Sequence, residues 1–259
     1  MGGKPASPPI QSRMPHVVPI ALCGHRGKMG QTLSQVLASG DELSIVAEVG
    51  FGEDLGAALK SGAQALVDFT VPQAALGNAL AAAAAGVAPV VGTTGLSADE
   101  VERLEAACAT TGGAVIPNFA IGAVVMMRIG EIAAPYFDAV EVVETHDARK
   151  KDAPSGTAVV TAERLSRARG EHPFAYGRPE HVAIAGTRGG EHRSVGVHSL
   201  RLPGVLAEQE IIFGTLGQTL SIRHRTSNRE AYVPGVVAAV RAVVEQRKFF
   251  RSLDEVLGL

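Results

Sequence analysis

Apolar positions in the first half of the chain fall into short runs of strand length, each followed by a stretch that reads as a helix. Residues 17–23 (VVPIALC), 43–49 (LSIVAEV), 65–69 (ALVDF), 87–91 and 114–116 predict five strands. Between them, residues 31–38, 54–60, 72–85 and 98–109 predict helices, the third opened by Pro72. Apolar strands that alternate with helices imply a parallel sheet covered on both faces.

The alternation stops near residue 122. A helix over 124–134 leads into a strand over 139–144, a charged loop, a helix over 156–169 and a loop over 171–179. Strand-like runs then follow without helices between them, at 182–185, 195–202, 207–213 and 219–224. They predict an α+β unit with a mixed or antiparallel sheet. A last helix over 229–246 is expected to return to the first unit. The expected division is residues 16–125 with 230–259 in one domain and 126–229 in a second.

Composition narrows the function. Lys plus Arg number 24 and Asp plus Glu 26, a net charge of -2, which leaves no electrostatic footprint for nucleic acid. Aromatics are 4% with no Trp, so a base-stacking platform is excluded too. No run reaches the roughly 18 apolar residues of a membrane helix. Cys23 and Cys108 form no CxxC pair and read as buried thiols in a reducing cytoplasm. No Asp/Glu/His cluster has metal-ligand spacing, and no metal is expected. Residues 1–15 carry four prolines and no apolar segment, which reads as a disordered leader rather than a signal peptide. Arg164, Arg167 and Arg169, at helical spacing, read as a solvated face.

Two stretches carry candidate chemistry. Gly24, Gly27 and Gly30 follow the first strand and open a helix, so backbone N–H groups and the helix dipole can meet a pyrophosphate. In that context the expected fold is α/β: a Rossmann-like dinucleotide-binding domain plus an α+β domain with a mixed sheet. Glu48, 18 positions after Gly30, can accept from a ribose 2′-OH, whereas Arg26 and Lys28 can meet a 2′-phosphate. Both NADH and NADPH are therefore open, with a lean toward NADPH.

The second stretch is residues 144–157, ETHDARKKDAPSGT. His146 and Lys150 stand just past a strand. Ser155, Gly156 and Thr157 start a helix, where free N–H groups bind a carboxylate. A titratable His beside a cationic Lys suits a small anionic substrate that must receive a proton. Arg223, His224 and Arg225 either meet the substrate's charge or serve the fold. His192 and His198 are given no role.

At these residues the chain resembles the 4-hydroxy-tetrahydrodipicolinate reductase family, formerly dihydrodipicolinate reductase, of the bacterial diaminopimelate and lysine pathway. The resemblance rests on residues 24–30, VDFT (67–70), VVGTTG (90–95), PNFAIGAV (117–124), KxDAPSGT (150–157), FGTLGQTLSIRH (213–224) and NREAYVPGV (228–236). It implies that Met29 of the glycine loop, Phe69, Thr70, Gly92, Thr93 and Thr94 border the cofactor. Pro117, Asn118, Phe119 and Ala120 would line its end of an interdomain cleft. It implies His146 as general acid and Lys150 as the substrate-holding cation. Gly156 and Thr157, with Ser155, would clasp a substrate carboxylate, and Arg229 would help shape the site. It also implies a homotetramer assembled through the second domain. Two departures stand out. Asp147, expected among the substrate-binding residues, occupies the place of a usual second histidine, and Gly50 that of an acid found two positions after Glu48 in some relatives. Asp147 leaves open a paralogue acting on a related cyclic imine. A non-catalytic dinucleotide sensor is the other alternative, and a sensor needs neither His146 nor Lys150.

Overall fold

The structure is a computed structural model that describes residues 17–38 and 40–259; the expected leader lies outside them. Five strands, β1 (Val18–Cys23), β2 (Leu43–Val49), β3 (Ala65–Asp68), β4 (Ala88–Val91) and β5 (Gly113–Val115), form a parallel sheet in the order β2-β1-β3-β4-β5. Ile20, Leu22, Leu66, Val67 and Val90 have no solvent exposure, as expected for strands covered on both faces. A two-residue strand, Phe249–Phe250, adds a sixth member beside β5. It is too short to be read as a strand from sequence.

Helices cover this sheet. The first, α1 (Lys28–Leu37), begins three residues before its expected start and buries Gly30, Leu33 and Leu37, one face of the helix. A short α2 (Leu55–Leu59) and then α3 (Pro72–Ala84) follow, the latter burying four alanines. Next, α4 (Ala98–Ala107) opens with a capping box between Ser97 and Glu100.

The second sheet contains β6 (Ala139–His146), β7 (Gly190–His192), β8 (Val195–Arg201), β9 (Ala207–Thr215) and β10 (Gln218–Thr226), in the order β10-β9-β6-β8-β7. The β6–β8 pair is parallel and the others antiparallel, so the sheet is mixed, as expected. On it lie α5 (Ile121–Ala133) and α6 (Gly156–Arg169), which share a core with Val142, Ile211 and Phe213. The chain then makes a 3₁₀ turn, Arg229–Tyr232, and enters α7 (Val233–Gln246), whose buried valines pack against β3, β4 and β5. A last short helix, α8, spans Leu253–Leu257.

Two expectations fail. Residues 182–185 form no strand. Val182 and Ile184 are exposed, and the glycines that follow, Gly186 and Gly189, have positive φ. The edge strand is instead β7. Of the arginine row of α6, Arg167 is exposed as expected, but Arg164 and Arg169 are not solvated. Arg164 Nε bonds Glu131 at 2.6 Å and its Nη2 bonds Asp254 at 2.7 Å, while Arg169 bonds the Pro135 carbonyl at 2.8 Å and lies over the Phe174 ring. These ion pairs join α6 to α5 and α8.

Candidate active site

The glycine loop is tight enough to exclude side chains. Gly24 has φ +84°, and a Cβ there would lie 2.5 Å from the Phe69 carbonyl oxygen. A Cβ on Gly30 would lie 2.2 Å from the Gly24 carbonyl oxygen. Gly27 caps α1 with extended backbone and no side-chain cap, which leaves first-turn N–H groups for an anion. A pyrophosphate fits this cradle, and any Cβ at Gly24 or Gly30 would collide with its backbone.

Asp68, fully buried at the end of β3, organises the neighbouring loops. It accepts from Thr70 N at 3.0 Å, Thr70 Oγ1 at 2.7 Å, Asn78 Nδ2 at 2.8 Å and Thr93 Oγ1 at 2.9 Å. Thr70 and Thr93 thus spend their hydroxyls on the scaffold. Phe69 lies against the α-carbon of Gly92, where an added Cβ would be 2.2 Å from the ring, and packs on Phe119 with centroids 5.6 Å apart.

Across from these loops, β6 runs two residues further than expected and delivers His146 at its end. Glu144, two positions earlier on the same strand face, has no solvent exposure. Its carboxylate meets His146 Nδ1 at 2.5 Å, Arg201 Nη1 and Nη2 at 3.0 and 2.9 Å, and Ser155 N at 3.2 Å. Burial pushes the Glu144 carboxyl up, but the bonds from His146, Arg201 and Ser199 outweigh it and bring the pKa to about 2. The ionised carboxylate makes Nδ1–H the donor and leaves Nε2 outside that bond.

Ser155 caps α6, its Oγ accepting from Ala158 N at 3.2 Å. Thr157 Oγ1 lies 3.5 Å from Asn118 Nδ2, which joins α6 to the loop after β5. Lys150 Nζ bonds Asp152 at 2.8 Å and is about one-quarter exposed. Asp147 takes two bonds from the Arg149 guanidinium and one from its N–H, which hold its carboxyl down at about 2, with a smaller contribution from Lys28 at the start of α1.

These parts line one cleft. A cavity of about 280 Å³ is bounded by Met29, Phe69, Gly92, Asn118, His146 and Thr157. A second shares Asn118, His146 and Thr157 and adds Thr94, Lys150 and Gly156. Pro117 and Ser155 line both, and Phe119 and Ala120 the first. A third opens from Phe69 toward Gly24, Gly27, Gly50, Glu53 and Thr70. Glu48, Arg229, Lys28 and Asp147 line none of these three. The Glu48 carboxylate accepts from Ser34 Oγ at 2.6 Å on the far side of β2. Arg26 is turned to Glu53.

Sequence reasoning missed Asp68, Glu144, Arg201 and Glu53. The period of two along β6 was the available signal for Glu144. His224, left open between two roles, lines the first cavity against Gly122, and burial lowers its pKa. Among the described residues, no group of three or more His, Cys, Asp or Glu is placed to hold a metal ion.

Comparison with known proteins places nearly the whole chain in one family. Residues 18–119 match the family described as dihydrodipicolinate reductase, N-terminus, and residues 122–257 its C-terminal counterpart. A 4-hydroxy-tetrahydrodipicolinate reductase of Nocardia farcinica is 42% identical over 93% of this chain and 98% of its own. One from Moorella thermoacetica is 39% identical over 92% and 97%. A solved structure, a dipicolinate-bound dihydrodipicolinate reductase from Paenisporosarcina sp. TG-14, superposes with a TM-score of 0.83 at 30% identity, covering 92% of this chain and 99% of that one.

Proposed function

The chain belongs to the dihydrodipicolinate reductase family, and from that premise we propose that it reduces 4-hydroxy-tetrahydrodipicolinate to tetrahydrodipicolinate with NADH or NADPH, in the diaminopimelate and lysine pathway. The observation that carries this reading is convergence. His146, Lys150 and the start of α6 meet Phe69, Gly92 and Asn118 around one cleft between the two sheets.

Each residue has a role that its position supports. The first turn of α1, with Gly24 and Gly27, takes the pyrophosphate. Phe69, Gly92, Pro117, Asn118 and Phe119 border the nicotinamide. When bound, the reduced nicotinamide supplies a hydride to an electron-poor ring carbon of the substrate, which loss of water has left conjugated. The N–H groups at Gly156 and Thr157 and the Thr157 hydroxyl hold one substrate carboxylate, at the helix end that Ser155 caps. Lys150 holds charge of the same dicarboxylate, exchanging the exposed Asp152 for it. His146 donates a proton through Nε2, and Nδ1 stays bonded to Glu144. Together, hydride and proton complete the reduction.

The same reading divides the chain into residues 16–125 with 230–259 for the dinucleotide and 126–229 for the substrate and assembly. Four copies associate through the second sheet, whose edge hairpin exposes Leu216 and Leu220. The location is the cytoplasm. Burial raises Cys23 to about 12 and Cys108 to about 11, so both stay as unreactive thiols.

The test is oxidation of NADH and NADPH, followed optically, with enzymatically generated 4-hydroxy-tetrahydrodipicolinate. Turnover dependent on that substrate is expected, and its absence with both cofactors would overturn the proposal.

A further inference from the structure

In a dinucleotide site of this topology, an acidic residue beyond the second strand accepts from the adenosine ribose. Glu48 is near the right place in sequence and the wrong place in space, since its carboxylate is held by Ser34 on the far side of β2. The carboxylate that does line the cavity with Gly24 and Gly27 is Glu53. It comes from the loop after β2, which turns back through Gly52 at φ +81°.

Gly50 explains how it arrives there. Glu53 Oε2 accepts from Gly50 N at 2.6 Å. A Cβ built on Gly50 would lie 3.1 Å from His25 Cε1, 3.2 Å from Arg26 Nε and 3.3 Å from Glu53 Oε2. The space of a side chain at residue 50 is thus already bordered by the Arg26–Glu53 ion pair, whose other oxygen, Oε1, faces the Arg26 guanidinium.

Resting on the dinucleotide reading above, we infer that Glu53, not Glu48, reads the adenosine ribose, and that Arg26 is its counterpart for a 2′-phosphate. A free ribose diol donates hydrogen bonds to the Glu53 carboxylate. A 2′-phosphate is repelled by that carboxylate and takes its place as the partner of Arg26, which bonds a phosphate as readily as a carboxylate. Selection between NADH and NADPH is then a choice of partner within one ion pair. Both residues are exposed, so neither choice is severe.

The experiment is equilibrium binding of NADH and of NADPH to the protein without substrate, read by nicotinamide fluorescence. Glu53→Gln keeps an oxygen for Gly50 N and removes the charge. It should raise the ratio of the NADH Kd to the NADPH Kd by about tenfold, the size of one charge-assisted hydrogen bond. Arg26→Ala should move the same ratio in the opposite direction by a similar factor. Equal loss of both dinucleotides in E53Q, or a selective loss of NADH in E48Q instead, would overturn the inference. A wild-type chain that binds neither dinucleotide would overturn the dinucleotide reading as well, whereas one that binds both with an unmoved ratio in E53Q refutes the inference alone.

Discussion

Glu144 holds His146: a carboxylate with no solvent exposure lies 2.5 Å from the imidazole Nδ1. The same two oxygens take the Arg201 fork and the Ser155 N–H, so the proton-bearing group and the carboxylate-binding end of α6 share one anchor. Removing the charge in Glu144→Gln should lower kcat at least tenfold with little change in dinucleotide affinity. Breaking a buried ion pair of this kind costs about 3–5 kcal/mol, and denaturant unfolding should register a loss of that order.

The same pair sets an acid limit. The folded pKa of Glu144, about 2, lies below its ordinary 4.5. Its stabilisation is therefore fully present above pH 4.5 and is lost as pH falls toward 2. Acid unfolding of the wild type should steepen across that window. Glu144→Gln, lacking the titrating group, should be less stable at neutral pH and show a shallower decline there. Parallel curves for the two proteins would contradict this assignment.

Lys150 and His146 should separate kinetically. Lys150→Ala removes the cation that meets the dicarboxylate, and substrate KM should rise most. His146→Ala removes the proton donor, and kcat should fall by roughly 10²-fold or more if general acid catalysis contributes its usual share. Both variants should bind NADPH as wild type, because their side chains lie on the second sheet's side of the cleft. Near-wild-type turnover in both would remove the proposed site.

Pyridine-2,6-dicarboxylate is flat and carries both carboxylates, so it should compete with substrate. Thr157→Val deletes a hydroxyl while leaving the N–H groups of α6. Inhibition should weaken by about tenfold, the value of one hydrogen bond to a charged group. Steady-state inhibition with varied substrate reads this directly.

How much was legible beforehand depended on the kind of interaction. The inner strands of the first sheet are apolar on both faces, and the runs located all five parallel strands to within a residue or two. Val182 and Ile184 made an equally apolar run, yet no element covers them, and exposure is not written in the local pattern. Arg164 and Arg169 looked solvated because their partners Glu131, Asp254 and Pro135 are far away in sequence. His146, Lys150 and Thr157 were readable from a dense motif. Glu53 was not, because the path of a loop after Val49 decides whether residue 48 or 53 faces the cavity.

Two glycines, Gly30 under the glycine loop and Gly92 in the cleft, should fail in different ways when given a methyl group. At Gly30 the added carbon meets backbone, 2.2 Å from the Gly24 carbonyl oxygen and 2.5 Å from His25 Cα. Neither can yield without moving β1 or α1, so Gly30→Ala should destabilise the fold by about 1–3 kcal/mol or more and abolish dinucleotide binding. At Gly92 the added carbon meets the ring of Phe69, 2.2 Å from Cε1. A ring can rotate aside at the edge of a cavity, although its packing on Phe119 resists. Gly92→Ala should therefore fold with a thermal midpoint near wild type and still bind dinucleotide through the α1 end. Its turnover should drop sharply, because the displaced ring intrudes where the nicotinamide would lie. Thermal unfolding and fluorescence titration of the two variants side by side make the comparison, and equal losses of stability would show that Phe69 has no room to move.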